Sequence, residues 1–76
     1  MKRDNSRHIN SYKRLGKNIA DRRKFLKISQ EELAKGVGTT RQTIISIEKN
    51  LFNPSAKLAL LICIFLEVKF EDLFYF

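Results

Sequence analysis

The 76-residue chain contains one cysteine, one histidine, one proline, three glycines and no tryptophan. Cys63 stands alone in "LICIF", so an intrachain disulfide and a cysteine metal cluster are both excluded. A lone thiol among apolar neighbours reads as a small buried hydrophobe, and the lack of paired cysteines fits a reducing cytoplasm. His8 lies in a polar stretch, with no nucleophile poised beside it. There is no glycine loop to cradle a phosphate and no metal-ligand spacing. Neither catalysis nor a metal, cofactor or small-molecule ligand is therefore expected. No apolar segment follows the basic N-terminus, as a signal peptide would require. The longest apolar run, "LALLICIFL" at 58–66, falls far short of the ~20 residues of a membrane helix. Acidic residues are scarce where basic ones gather: residues 1–27 carry ten Lys and Arg against two Asp, and residues 28–76 five against six Asp and Glu. The net charge of +7 thus sits in the first third. One-sided positive charge points to a polyanion, either nucleic acid or an anionic membrane surface, or else to a solvated basic tail.

A chain this short holds one small domain, and its apolar pattern is helical throughout. Residues 1–11, "MKRDNSRHINS", lack periodicity and read as a flexible basic arm, leaving 12–76 as the domain. Tyr12, Leu15, Ile19 and Leu26 mark one face of a first helix from about Tyr12 to Leu26, with Gly16 near its start or at a close contact. "SQEE" predicts a capping box, Ser29 with Glu32, opening a second helix whose inner stripe is Leu33, Ala34 and Val37. "GVG" at 36–38 ends it. After a turn of two or three residues a third helix starts at Thr40 and runs to about Lys49, its steep exit angle forced by the short turn. Pro54 and Ser55 open a fourth helix over Ala56–Leu66, and "FEDLF" forms a short fifth. No strand pattern is visible.

The third helix, in "GTTRQTIISIEKN", is polar in an unusual way. Its outer face carries Thr40, Arg41, Gln42, Thr43 and Ser46, with no acid before Glu48. Together with "SQEELA", "NPS" and the closing "EDLF", "TTRQTIISIE" resembles the Cro/C1-type helix-turn-helix family over residues 15–74. This is the family of the lambdoid phage repressors and many small bacterial regulators. The resemblance implies an all-α, compact five-helix, lambda-repressor-like domain with helices 2 and 3 as the helix-turn-helix. It further implies that helix 3 enters the DNA major groove and that a dimer binds a roughly palindromic operator, with half-sites about one helical turn apart.

The residues on helix 3 suit that role. Gln is bidentate for adenine and Arg for guanine, which makes Gln42 the first expected base contact and leaves Arg41 to read guanine or grip a phosphate. Thr40 and Ser46 are further base contacts. Ile45 meets a thymine methyl or is partly covered by a neighbouring helix. For the phosphates, the resemblance places Gln30 at the N-terminus of helix 2, where the helix dipole also attracts an anion. It places Lys49, Asn50 and Asn53 in the loop after helix 3, and Thr43 joins this set. The chain departs from the family there: Leu51 and Phe52 stand where Lys and Tyr are common, so a charge and a hydroxyl are missing. The family often buries an Arg of helix 1 against the Glu closing helix 3, which here are Arg23 and Glu48. The alternative is two separate surface charges.

Helix 4 is apolar nearly all round. Leu58, Ala59, Ile62, Phe65 and Leu66 suffice for a core, so Leu61 and Ile64 are expected to face outward. With Phe74, Tyr75 and Phe76 they make an apolar patch, read as a homodimer interface centred on Leu61, Ile64, Phe74 and Phe76. The other possibility is that helix 5 or the arm covers them. The expected function is a double-stranded DNA-binding transcriptional regulator, a repressor acting as a dimer, cytoplasmic and nucleoid-associated. An antitoxin-like protein that masks a partner protein is the alternative, disfavoured because no tail is offered after Phe76. A basic RNA-binding module ranks lower, since the reading face lacks the aromatics on which unpaired bases stack.

Overall fold

The computed structural model describes residues 2–74, with side chains for residues 14–73. Five helices follow in order: α1 (Lys2–Phe25), α2 (Gln30–Val37), α3 (Arg41–Glu48), α4 (Ala56–Leu66) and α5 (Phe70–Phe74). The described residues form an all-α domain with no strand.

Three of the helices open on a capping side chain. Ser29 Oγ accepts from the Glu32 amide at 3.0 Å while Glu32 Oε1 accepts from the Ser29 amide at 2.8 Å, the reciprocal capping box. Thr40 Oγ1 accepts from the Thr43 amide at 3.2 Å, and Ser55 Oγ from the Leu58 amide at 3.1 Å. These bonds satisfy amides that the helix itself leaves unpaired. The α2 terminator is Gly38, not the pair of glycines: it adopts φ 79°, the left-handed conformation glycine enters without penalty. Gly36 lies inside the helix. Its missing Cβ makes room for the Phe65 ring of α4, which occupies the space a methyl group there would need.

Helix α1 begins at Lys2, not Tyr12. Residues 2–11, expected to be an irregular arm, are helical. No glycine or proline interrupts them. A helix already nucleated by the packed turns around Leu15 and Ile19 extends at small cost per residue.

Leu15 and Ile19 of α1, Leu33, Ala34 and Val37 of α2, Ile44 and Ile47 of α3, Ile62, Cys63 and Leu66 of α4, and Leu73 of α5 form one buried cluster. Helix α1 packs on α3 and α5, α2 packs on α3 and α4, and α4 packs on α5. One core expectation is corrected: Phe65 lies at the rim, 37% exposed, against Gly36, while Cys63 is buried as its apolar neighbours led one to expect. Cys63 is 100° around the helix from Ile62 and three residues from Leu66, on the same buried stripe. Burial pushes its thiol pKa up, which makes it a poor nucleophile.

Candidate nucleic-acid interface

Helix α3 is held from below by α1. Its inner side chains, Ile44 and Ile47, are fully buried. At its C-terminus the Glu48 carboxylate meets the Arg23 guanidinium edge-on: Nε donates to Oε2 at 2.7 Å and Nη2 to Oε1 at 3.0 Å. The two side chains are only 10% and 7% exposed. Arg23 Nη1 donates to the Ile28 carbonyl at 2.9 Å, and Gln30 Nε2 donates to Glu48 Oε1 at 3.1 Å. A buried ion pair is sustained only when its remaining valences are met, and here the first residue of α2 and the α1–α2 turn meet them. One carboxylate therefore ties α1, α2 and α3 together.

Gly16 brings the helices closer still. A Cβ there would overlap the carbonyl oxygens of Ile47 and Glu48, so the last turn of α3 sits directly on the α1 backbone. The Gly16 amide donates to Asn50 Oδ1 at 3.1 Å. Asn50 adopts φ 60°, a left-handed residue that ends α3 as an αL cap does. Adjacent Arg22 ties down another helix end: its Nε and Nη2 donate to the carbonyls of Leu66 and Glu67 at 2.9 and 3.0 Å, where α4 stops. Cations at a helix C-terminus are favoured by the same unpaired carbonyls.

The outer face of α3 is thereby presented rigidly. Arg41 and Gln42 are exposed, and Thr43, Ile45 and Ser46 are half-buried along the same surface. The Thr40 and Thr43 hydroxyls lie 3.0 Å apart and bond to one another. The only acid of α3 is Glu48, turned inward to Arg23, so the exposed face of the helix carries no negative charge.

An open groove of about 680 Å³ runs between this face and the start of α2. Arg41, Ile45 and Lys49 of the α3 side line it, opposite Ser29, Gln30 and Glu31 of α2, with Lys24 of α1 at one end. It brings together six of the residues singled out from sequence: the ion pair Arg23 and Glu48, and Gln30, Arg41, Ile45 and Lys49 of the expected DNA contacts. Ile45 belongs to the groove wall. Asn53 is exposed in the loop beyond α3, away from this groove. Gln30 and Asn50 have intramolecular roles that sequence alone did not suggest, on Glu48 and Gly16 respectively. Lys24 was missed. Its signal was its place directly after Arg23 in "DRRK", one helical step around from the buried arginine.

Helix α4 leaves an apolar surface. Leu61 and Ile64 do point outward, with Ile64 72% exposed, and Leu60 and Phe65 extend the patch. The Phe74 side chain and Phe76 lie outside the described residues. No helix among the described residues is long and apolar enough to cross a membrane, and no cluster of metal-binding side chains occurs among them.

A helix-turn-helix family model matches residues 19–73. An uncharacterised HTH-type transcriptional regulator of Archaeoglobus fulgidus is 51% identical over 58 residues, covering 76% of this chain and 82% of its own. One from Methanocaldococcus jannaschii is 53% identical over 49 residues, 64% of this chain and 74% of its own. The HTH-type regulator YgzD of Bacillus subtilis, likewise uncharacterised, is 51% identical over 47 residues, 62% of this chain and 71% of its own. No solved structure gave a significant match.

Proposed function

The chain belongs to the Cro/C1-type helix-turn-helix family of DNA-binding transcriptional regulators, and from that premise we propose that it is a repressor acting as a homodimer on a palindromic operator. It works in the cytoplasm by occupying its site. The observation that carries this reading is the face of α3. That face is free of acids, bears Arg41 and Gln42 at its exposed end, and is fastened to α1 by the Arg23–Glu48 pair. A helix fixed in this way can hold its side chains in register with base edges, because positioning contacts and reading contacts come from one rigid body.

Gln42 reads an adenine edge through its amide, and Arg41 reads guanine or clamps a phosphate at the helix start. Thr40, Ile45 and Ser46 complete the base-facing surface. The phosphates run past the groove of Gln30, Lys49 and Lys24, and past Thr43, Asn50 and Asn53 at the loop. The basic first eleven residues add sequence-independent attraction, which releases counterions and steepens the salt dependence.

The dimer forms through the outer face of α4, with Leu61 and Ile64 at its centre and the C-terminal aromatics Phe74 and Phe76 contributing further apolar area. An exposed apolar patch of this kind marks an interaction site. Sedimentation tests it: the wild type runs as a dimer at tens of micromolar, and Leu61→Lys with Ile64→Lys runs as a folded monomer. A monomeric wild type refutes the dimer. Selection of bound duplexes from a random DNA pool tests the main reading. The expected product is a two-fold symmetric consensus, and a pool that shows no enrichment over its input refutes sequence-specific binding.

A further inference from the structure

The two flanks of α3 differ in charge. One opens on the groove of Arg41, Lys49 and Lys24. The other opens on a hollow of about 330 Å³ lined by Thr40, Gln42, Thr43, Ser46, Leu51 and Phe52, none of which carries a charge. Its apolar wall comes from the loop after α3. That loop is turned back alongside the helix by two backbone bonds, Asn50 N to Ile47 O at 3.0 Å and Leu51 N to Ser46 O at 2.9 Å. This closure around the left-handed Asn50 is the Schellman pattern, and it fixes where Leu51 and Phe52 stand. They are 77% and 49% exposed, beside the residues of α3 that face outward.

The lining selects its occupant. A phosphate calls for cations or several free donors. This flank offers no cation, and the Thr40 and Thr43 hydroxyls at its rim bond to one another, which leaves Thr43 at most a single donor for a phosphate passing outside the hollow, while the opposite flank carries Arg41, Lys49 and Lys24. Water alone leaves two large apolar side chains wet, at a cost proportional to their area. The edges of base pairs in a major groove carry one apolar group, the thymine C5-methyl, next to the O4 acceptor. The hollow pairs an apolar wall with the hydroxyl of Ser46 and the amide of Gln42, which matches that combination.

We propose that this hollow reads a thymine, with the C5-methyl seated against Phe52 and Leu51 and O4 facing Ser46, leaving Gln42 for the neighbouring adenine edge. Phe52 is then a specificity-determining residue. This rests on the DNA-binding reading above and adds a base that the residues of α3 alone do not specify.

The test replaces each thymine of the selected operator, one at a time, by deoxyuridine, which removes only the methyl group. Affinities are measured for the wild type, Phe52→Ala and Leu51→Ala, with circular dichroism confirming the fold of each. Both side chains are largely exposed, so both variants are expected to fold, and either one suffices for the comparison. One thymine per half-site is expected to cost the wild type about fourfold on demethylation, the factor for burying a single methyl-sized group. That penalty vanishes in the variants, while the others stay. Demethylation profiles that are the same in the wild type and both variants overturn the inference and leave DNA binding standing. Failure of the pool selection to yield any site overturns both.

Discussion

Replacing Arg23 by leucine leaves the Glu48 carboxylate in a site where its side chain is 7% exposed, with only the Gln30 amide at 3.1 Å to hold it. It also strips the Ile28 carbonyl of its 2.9 Å partner. Removing one member of a buried pair costs about 3–5 kcal/mol, because the survivor is a desolvated charge. A 76-residue domain at about 0.05–0.15 kcal/mol per residue has a total stability near 4–11 kcal/mol. The single substitution therefore removes between about a quarter and all of it. In urea, where small domains have slopes near 1 kcal/mol per molar, the midpoint falls by several molar, and the variant is expected to be partly unfolded without denaturant. The double variant Arg23→Leu, Glu48→Leu removes both charges. Replacing a buried pair by apolar side chains is often close to neutral, so its midpoint is expected to recover most of the loss. Urea melts followed by circular dichroism, arranged as a double-mutant cycle, measure this coupling. A single-variant loss below about 1 kcal/mol, the range of an exposed pair, refutes the claim that the pair is a buried fastener. A double variant as unstable as the sum of the two singles refutes it equally.

Other outcomes follow from the same contacts. Gly16→Ala normally gains about 1 kcal/mol in a helix, yet here the added methyl overlaps the Ile47 and Glu48 carbonyls. A net loss of about 1–3 kcal/mol, as for overpacking, is expected in thermal or urea melts, and a stabilised variant contradicts the close packing of α1 on α3. Deleting residues 1–11 is expected to weaken binding to all duplexes alike and to make the slope of log affinity against log salt shallower. An unchanged slope removes this segment from the interface. Native Cys63 is expected to react with a thiol reagent only as fast as the domain opens, since it is 5% exposed and its pKa is raised. Rapid labelling of the folded protein contradicts its place in the core.

Helices α2 to α4 were legible because their ends are written locally. Ser29 with Glu32, Thr40, Ser55 and Gly38 each act within a few residues of where they stand. The buried stripes of α2 and α3 followed from spacing, since polar residues separate their apolar positions. Helix α4 gave less: apolar on nearly every side, it carries no phase for periodicity to detect, and so Phe65 was placed in the core. The missing Cβ of Gly36, far away in sequence, is what seats Phe65. The start of α1 was illegible for the opposite reason. Residues 2–11 carry no apolar stripe in the sequence, so a helix there leaves no periodic trace. That Arg41, Gln42 and Ser46 lie on the outer surface of α3 followed from helical spacing. The bonds of Gln30 to Glu48 and of Asn50 to Gly16 arise from long-range packing that no short window contains, while the hollow beside Phe52 is local but forms only once the left-handed Asn50 turns the loop back.

The measurement that bears most directly on α3 as a reading helix compares two duplexes, the selected operator and a scrambled duplex of equal length and composition, at one salt concentration. The wild type is expected to prefer the operator by at least about 10³-fold, the lower end for specific binders. Gln42→Ala is expected to lose about 1–3 kcal/mol per half-site on the operator and nothing on the scrambled duplex. An equal loss on both duplexes, or no loss on either, would contradict the assignment of this face to base recognition.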